Sequence, residues 1–185
     1  QRQMCIRDRT YTLHVAGLTR ELPICKINDH LDIAAFIMFS DVELTIACAK
    51  ALLEKCPDFD VILTAEAKGI PLAYEMSRQS GKQWIPARKG VKGYMADPVI
   101  VEDQSITTAG KQKLVIDRKE LDKMSGKRVL VVDDVISTGG SLKALDELAE
   151  QTQCTIVGQA AVLAEGDAAQ RKDIIFLEPL PLFFH

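Results

Sequence analysis

From about residue 40 onwards, short apolar runs alternate with longer stretches in which apolar residues recur at helical spacing. The apolar runs predict strands at Val61–Thr64, Trp84–Ala87, Lys113–Ile116, Val129–Val132, Thr155–Leu163 and Ile174–Leu177. The helical stretches lie at residues 41–56, 69–79 and 141–150, and residues 121–124 predict a short helix or turn. Because fully apolar strands separated by helices are typical of a buried parallel sheet, the pattern predicts an α/β fold with a parallel twisted sheet and helices on both faces.

The N-terminal part of the chain follows a different pattern. Residues 1–9, QRQMCIRDR, show no strand or helix periodicity, and we expect them to be disordered or non-native. Residues 10–16 alternate apolar and polar positions, which predicts a half-buried strand. Residues 18–39 mix short apolar runs with turn residues, which predicts a small hairpin-like hood. We therefore expect a single domain over residues 10–185 that combines this hood with the parallel sheet.

The first long helix has a recognisable start and end. Ser40, followed three residues later by Glu43, matches a capping box, in which each side chain bonds the other residue's backbone N–H. Pro57 cannot continue a helix, so the helix is predicted to end just before it.

One long polar stretch interrupts the alternation of strands and helices. Residues 89–112 include Gly90, Gly93, Pro98 and Gly110, and neither a strand nor a helix is predicted before residue 113. Loops of this length are uncommon in a compact domain and are usually functional. We therefore interpret the range as a flexible loop that covers a site.

Composition and charge limit the classes of function. The 185 residues carry a net charge of −3, with 47% hydrophobic and 26% charged residues, as in an ordinary globular domain. This charge gives no general attraction to nucleic acid or to an anionic membrane, and the sequence lacks the run of about 18 apolar residues that a membrane-spanning helix needs. We therefore expect neither nucleic acid nor membrane as a partner, and a polyanionic ligand must meet a local basic cluster.

The cysteines predict the compartment rather than a disulfide framework. The five cysteines are scattered, odd in number and without a C-x-x-C motif. Since the sequence also shows no export signal, we expect reduced thiols and a cytoplasmic location. No cysteine and histidine have the spacing of a zinc site, and no direct protein ligand to a metal is predicted.

Two adjacent acids follow the most apolar of the predicted strands. Residues 129–141 read VLVVDDVISTGGS, with Asp133 and Asp134 directly after the strand. Neighbouring carboxylates repel each other and are costly to desolvate, so their position indicates a function. Because parallel sheets bind ligands beyond the carboxyl ends of their strands, we expect a site at this position.

The turn after the acids is suited to a phosphate group. It comprises Ser137, Thr138, Gly139, Gly140 and Ser141 and leads into a predicted helix. Its glycines permit close approach and positive φ, and free backbone N–H groups at a helix N-terminus bind anions. The vicinal hydroxyls of a ribose can donate hydrogen bonds to the two carboxylates upstream. The motif therefore predicts a ribose 5-phosphate site.

VLVVDDVISTGGS resembles the signature that binds phosphoribosyl pyrophosphate (PRPP) in type I phosphoribosyltransferases. Residues 64–69, TAEAKG, resemble the pyrophosphate loop of adenine phosphoribosyltransferases and their relatives. Arg88 with Lys89 resembles the basic pair that follows this loop. The resemblance spans about residues 40–165. It is closest to the adenine phosphoribosyltransferase-like purine phosphoribosyltransferases, and it implies the type I phosphoribosyltransferase fold.

The resemblance implies a reaction and a set of binding residues. The family transfers the 5-phosphoribosyl group of PRPP to a base, and its purine members yield a nucleoside monophosphate and pyrophosphate in purine salvage. By this resemblance Asp133 and Asp134 would be the catalytic acids, residues 137–141 would bind the 5′-phosphate, and Glu165 would lie beside the base. The pyrophosphate-binding residues would be Ala65, Glu66, Ala67, Lys68, Gly69, Arg88, Lys89 and Lys92.

The cofactor and the assembly are implied in the same way. Members of the family use Mg²⁺ that is held mainly by PRPP, with few direct protein ligands, and relatives of this type are commonly homodimers. The flexible loop of the family closes over the site and excludes water, and residues 89–112 match it in position.

The base and the class of function stay open at this point. Adenine is the first expectation, but KGIPLAYEM resembles xanthine phosphoribosyltransferases and purine repressors, and TAEAKGIP resembles archaeal hypoxanthine/guanine enzymes. Residues 105–110 lack the acid and the aromatic residue that adenine enzymes carry before the late glycine of the loop. A non-catalytic regulator that senses PRPP is the other alternative, although the few residues before Thr10 leave no room for its usual DNA-binding domain.

Overall fold

The computed structural model describes residues 9–103 and 112–185. The prediction for residues 105–110 and, except for Arg9, the prediction of disorder over residues 1–9 therefore lie outside the described residues; Arg9 itself is ordered, since its C=O accepts a hydrogen bond from the backbone N of Ile24 at 3.0 Å. The strands are β1 (Thr10–Val15), β2 (Leu18–Asn28), β3 (Leu31–Ala34), β4 (Val61–Ala65), β5 (Gln83–Ala87), β6 (Pro98–Asp103), β7 (Gln112–Asp117), β8 (Arg128–Ile136), β9 (Thr155–Glu165), β10 (Ile175–Leu180) and β11 (Leu182–Phe184). The helices are α1 (Val42–Lys55), α2 (Ile70–Ser80), α3 (Arg118–Asp122) and α4 (Gly140–Ala149), with a 3₁₀ turn at Gly166–Gln170. Within the described residues, no helix is both long and apolar enough to cross a membrane.

Five parallel strands form the central sheet, in the order β10-β9-β8-β4-β5. This order places β8 in the middle, with β4 on one side and β9 on the other. Val61–Ala65 of β4 and Val129–Val132 of β8 are buried at every position, as expected for strands that are covered on both faces. The predicted fold class, a parallel sheet between helices, is confirmed.

Each face of the central sheet has its own apolar core. On one face, Leu52 of α1 packs in a cluster that includes Ile62 of β4. On the other face, Leu145 of α4 packs in a cluster that includes Leu63, the next residue of the same strand. Successive residues of β4 therefore serve opposite cores, because side chains alternate between the two faces of a strand.

A second sheet is antiparallel and has the order β1-β2-β3-β11. β2 and β3 form a hairpin within the predicted hood range 18–39. β1 pairs with β2 and buries Leu13 and Val15, which confirms the alternating strand predicted near the N-terminus. The fourth strand, Leu182–Phe184, comes from the other end of the chain and pairs with β3. The sequence did not predict this strand, because three residues carry too short a pattern and only the pairing identifies it.

The prediction of an unbroken loop over residues 89–112 is wrong in part. Pro98–Asp103 forms β6, which pairs antiparallel with β7. This strand was missed because Pro98 opens it and its partner lies beyond the polar stretch. Arg88 connects the hairpin to the central sheet, since its backbone N–H and C=O both bond Val115 at 2.7 Å.

The short helix or turn predicted at residues 121–124 is confirmed, but the helix begins earlier than predicted. α3 spans Arg118–Asp122, and a turn follows at residues 123–126. Leu121 and Met124 are both fully buried, so the apolar pair did indicate a packed turn. The start of α3 was not predicted, because its first residues are polar and show no apolar periodicity.

The capping box predicted at Ser40 and Glu43 is wrong. The N-cap of α1 is Asp41, whose Oδ1 accepts a hydrogen bond from the backbone N of Leu44 at 3.0 Å, whereas Ser40 has a φ of +68° in the preceding turn. Arg20 of β2 donates from Nε to Asp41 Oδ2 at 2.7 Å and from Nη2 to Glu43 Oε2 at 2.8 Å. The acids at the start of α1 therefore also attach the antiparallel sheet to this helix.

Replacing Asp41 tests the corrected cap. Asp41→Ala removes both the acceptor for Leu44 and the partner of Arg20, so we expect the free energy of unfolding to fall by about 1–2 kcal/mol. Ser40→Ala is the matched control and should change this free energy by less than about 0.5 kcal/mol. Urea denaturation followed by circular dichroism measures both values. A larger loss for Ser40→Ala than for Asp41→Ala would restore the capping box.

Candidate active site

The two adjacent acids lie inside β8 rather than after it. β8 runs from Arg128 to Ile136, and within it Asp133 and Val135 pair with Ala161 and Leu163 of β9. The sequence-based prediction ended the strand where the apolar run ended. The strand continues because β9 extends beside it and supplies hydrogen-bond partners. This pairing places both acids at the carboxyl edge of the central sheet, where parallel sheets bind ligands.

The two carboxylates lie in different environments. Asp134 is 2% exposed, Asp133 is half-buried, and the backbone N–H of Asp134 donates to Asp133 Oδ1 at 2.8 Å. Burial, and after it the adjacent charge of Asp134, raises the pKa of Asp133 above its ordinary value. Lys68 Nζ lies 3.5 Å from Asp134 Oδ2, and this oxygen accepts no hydrogen bond from the described residues. A ligand that brings hydrogen-bond donors or positive charge would therefore be favoured here.

The turn Ser137–Ser141, here called the phosphate turn, connects β8 to α4. Gly139 has a φ of +82°, and no side chain of the described residues caps the helix that starts at Gly140. The first N–H groups of α4 are thus left for a ligand. A cavity of about 110 Å³ lies against this turn and is lined by Asp133 together with all the predicted phosphate residues, Ser137, Thr138, Gly139, Gly140 and Ser141.

Gly69 allows the segment after β4 to approach the acids. A Cβ at this position would overlap Thr64 Oγ1 and would lie 3.2 Å from Asp133 Oδ1. The hydroxyl of Thr64 is itself buried, with no hydrogen-bond partner among the described residues. A larger residue at position 69 would therefore displace either this strand end or the acid.

Glu66 organises the basic residues of the site. Its carboxylate accepts hydrogen bonds from Arg88 Nε and, at 2.7 Å, from the backbone N of Lys89, and Lys92 Nζ lies 3.8 Å away. Burial alone would raise the pKa of Glu66, but the bonds from Arg88 and Lys89 outweigh it and hold this pKa below the ordinary value. Glu66 therefore stays ionised and gathers basic groups of Arg88, Lys89 and Lys92 into one cluster.

A cavity of about 250 Å³ brings these separate segments together. It lies between the end of β4, the segment after β5, the acids of β8 and the start of α4. The predicted site residues that line it are Ala65, Glu66, Ala67, Lys68, Lys89, Asp133, Asp134 and Ser141. Leu114, Val135 and Ala144 line the same cavity and were not predicted, because isolated apolar residues carry no signal of a site in the sequence.

Some predicted residues do not reach these two cavities. Glu165 lines neither; it ends β9, where it pairs with Leu180 of β10. Gly69, Arg88 and Lys92 also lie outside both linings. Each of them lies beside a residue that lines a cavity. Gly69 lies beside Asp133, and Arg88 and Lys92 lie beside Glu66.

Two further residues near the site were missed in the sequence. The hydroxyl of Tyr94 accepts a hydrogen bond from Arg88 Nη1 at 2.7 Å. Arg171 follows the 3₁₀ turn after β9, and its Nη1 lies 3.0 Å from the position that a Cβ on Gly139 would occupy. Neither residue belongs to a motif. For Arg171 the one available signal was its position shortly beyond the carboxyl end of a predicted strand.

Comparisons with known proteins show the family of the chain. A family model described as the phosphoribosyl transferase domain matches residues 43–179. The adenine phosphoribosyltransferase of Rhodococcus jostii (strain RHA1) is 32% identical over 126 residues, which cover 68% of this chain and 69% of that protein. The hypoxanthine/guanine phosphoribosyltransferase of Methanohalophilus mahii is 39% identical over 114 residues, which cover 62% of this chain and 56% of that protein.

The fold also matches solved structures. The crystal structure of adenine phosphoribosyltransferase from Rhodothermus marinus DSM 4252 superposes with a TM-score of 0.62 and 21% sequence identity. The match covers 95% of this chain and 96% of that chain. At this level of identity, the likeness concerns the fold.

The raised pKa of Asp133 predicts a pH-dependent cost to stability. A carboxyl whose pKa is higher in the folded than in the unfolded protein binds more protons when folded, so its stabilising contribution is lost as the pH rises above about 4. Asp133→Asn removes this loss. We expect the melting temperature of the variant to exceed that of the wild type at pH 8, by a difference that shrinks towards pH 4.

Calorimetry between pH 4 and pH 8 measures this difference. The control is Asp58→Asn, because the side chain of Asp58 is 97% exposed, and it should show no such trend. A wild type at least as stable as Asp133→Asn at pH 8 would contradict the prediction.

Proposed function

The chain belongs to the phosphoribosyl transferase family, and from this premise we propose that it transfers the 5-phosphoribosyl group of PRPP to a purine base. The products are a nucleoside monophosphate and pyrophosphate, as in purine salvage. The observation that carries this proposal is the cavity of about 250 Å³ in which the acids of β8, the segments after β4 and β5 and the start of α4 meet. These groups are complementary to the hydroxyls, the pyrophosphate and the 5′-phosphate of one PRPP molecule.

The acids and the phosphate turn bind the ribose 5-phosphate half of the substrate. The N–H groups and hydroxyls of the turn donate to the oxygens of the 5′-phosphate. Asp133 and Asp134 accept hydrogen bonds from the vicinal hydroxyls of the ribose. Support comes from Asp134 Oδ2, a buried oxygen that lies 3.5 Å from Lys68 Nζ and accepts no hydrogen bond from the described residues, because a hydroxyl donor would satisfy it.

The basic cluster binds the pyrophosphate half. Lys68 and Lys89 line the cavity, while Arg88 and Lys92 are gathered beside it by Glu66. In the reaction a ring nitrogen of the base forms a bond to C1 of the ribose, and the bond from C1 to the pyrophosphate oxygen breaks. The proton that the imidazole ring of the base loses passes to solvent or to the departing pyrophosphate. The electron pair of the broken bond leaves with pyrophosphate. The cluster stabilises this developing charge, so catalysis rests on positioning and electrostatics.

We propose Mg²⁺ as the cofactor, held mainly by PRPP. The donors at the site are carboxylate oxygens of Asp133 and Asp134, including Oδ2 of Asp134, which accepts no hydrogen bond from the described residues, and such hard oxygen donors fit Mg²⁺ with its retained waters. When bound with PRPP, the ion would neutralise charge on the pyrophosphate. The protein's own part is to orient the ribose through the two carboxylates.

Adenine is our first proposed base, with hypoxanthine, guanine and xanthine as alternatives. The relatives named above act on adenine and on hypoxanthine/guanine by their names, so the purine class is common to them. Glu165 remains our proposed residue beside the base, since it ends β9 at the same edge of the sheet as the acids.

An assay of pyrophosphate release with PRPP, Mg²⁺ and each of the four bases tests the proposal. Turnover with one base supports the enzyme and identifies its substrate. Tight binding of PRPP without turnover with any base would overturn the enzyme and favour a regulator that senses PRPP.

We also propose a homodimer in the cytoplasm. Val42 and Ile46 of α1 and Tyr74 of α2 are exposed apolar side chains around a groove of about 240 Å³, a surface that a second copy would cover. The cysteines that the structure describes are free thiols, which suits a reducing compartment. Light scattering after size-exclusion chromatography should give twice the mass of the chain, and the mass of one chain would contradict the dimer.

Replacing both acids tests their proposed role in binding PRPP. Asp133→Asn combined with Asp134→Asn removes the charged acceptors for the ribose hydroxyls, and each such hydrogen bond contributes about 1.5–3 kcal/mol. We therefore expect the affinity for PRPP with Mg²⁺, measured by calorimetric titration, to fall at least roughly 100-fold.

The matched control for this variant is Asp58→Asn, which removes an exposed carboxylate elsewhere. It should leave the affinity for PRPP unchanged. Wild-type affinity in the double variant would mean that the acids do not bind the sugar.

A further inference from the structure

An arginine from a distant part of the chain packs against the phosphate turn. Arg171 comes directly after the 3₁₀ turn Gly166–Gln170, which follows β9. Its Nη1 lies 3.0 Å from the position of a Cβ on Gly139, the residue of the turn with a φ of +82°. Gly139 suits this position for two reasons. It adopts the positive φ of the turn without strain, and its lack of a side chain leaves room for the guanidinium.

Acidic residues hold Arg171 in this place. Its Nε donates to Asp173 Oδ1 at 2.9 Å and its Nη2 donates to Asp173 Oδ2 at 2.7 Å. This pair raises the pKa of Arg171 further, and Asp146, a carboxyl of α4 that accepts a bond from Gln159 at 2.6 Å, also attracts the guanidinium. Within residues 9–103 and 112–185, Nη1 donates no hydrogen bond, and it is the nitrogen that lies against the phosphate turn.

The charge of Arg171 lies where the phosphate turn has none of its own. Residues 137–141 are all uncharged. Lys143, in the first turn of α4, is 75% exposed and lies 3.9 Å from Glu147, so solvent and this partner screen its charge. The side chain of Arg171 is 34% exposed and is held by a two-point contact with Asp173, so the carboxylate offsets part of its charge but fixes the position of the guanidinium beside the turn.

We propose that Arg171 is a positioning residue for the 5′-phosphate of PRPP. It acts through the phosphate turn, because its guanidinium occupies the space beside Gly139 and holds a fixed cationic group, partly offset by Asp173, next to the N–H groups that receive the anion. This inference rests on the proposed function, since the anion in question is the sugar phosphate. The inference requires Arg171 to contribute to the binding of the 5′-phosphate of PRPP but not to the binding of its pyrophosphate. The pyrophosphate binds residues at the ends of β4 and β5.

Arg171→Gln tests this inference, with Arg171→Lys as the conservative variant. Calorimetric titration measures the binding of ribose 5-phosphate and of pyrophosphate separately. We expect the affinity for ribose 5-phosphate to fall roughly tenfold in Arg171→Gln and less in Arg171→Lys, while the affinity for pyrophosphate changes by less than about twofold. In the steady state, the KM for PRPP should rise while kcat stays within about twofold of the wild type.

Arg128→Gln is the matched control. Arg128 forms the same kind of two-point contact with Asp60, with distances of 3.1 and 2.9 Å, but it lies at the start of β8, at the opposite end of the strand from the acids. It should leave both affinities unchanged. Unchanged affinity for ribose 5-phosphate in Arg171→Gln, or equal losses for both ligands, would overturn the inference. If the expected loss is found but no base gives turnover, the proposed function fails while the role of Arg171 stands.

Discussion

The pairing of β8 between β4 and β9 is the constraint on which the site depends. Val129–Val132 is buried on both faces, and a shift of register would move its side chains between two separate cores. The acids that follow are therefore held at one height along the sheet. Because β9 continues to Glu165, β8 also continues beyond the acids as far as Ile136. The phosphate turn thus begins at a defined distance from Asp133 and Asp134.

The charges of the site are arranged in pairs before any ligand arrives. Lys68 lies beside the buried Asp134, and Glu66 holds Arg88 and the backbone of Lys89. An acid in the proposed site for a polyanion is unfavourable by its charge alone, but without Glu66 the basic side chains would spread into solvent and lose entropy on binding. Glu66 therefore lowers the net positive charge of the cluster, but it holds the basic side chains in place before a ligand binds.

Features that rest on local sequence were the ones that could be predicted. The parallel sheet followed from the alternation of apolar runs and helical stretches, and the segments 129–141 and 64–69 were located from residue types at fixed spacing. Features that rest on pairing between distant segments were missed. β6, β11 and the contact of Arg171 with Gly139 each depend on a partner far away in the chain. The cap of α1 was misplaced by one residue, because both Ser and Asp are good N-caps and the backbone decides between them.

The sequence by itself determined the fold class and located the motif for which we propose sugar-phosphate binding, because periodicity, glycine turns and adjacent acids are encoded within a few residues. Only the tertiary structure decided how deeply each acid is buried, which basic residues gather at Glu66 and which arginine lies behind the phosphate turn. Burial and charge proximity are properties of segments that meet in space. They follow from the order of strands in the sheet, which no single segment of the chain contains.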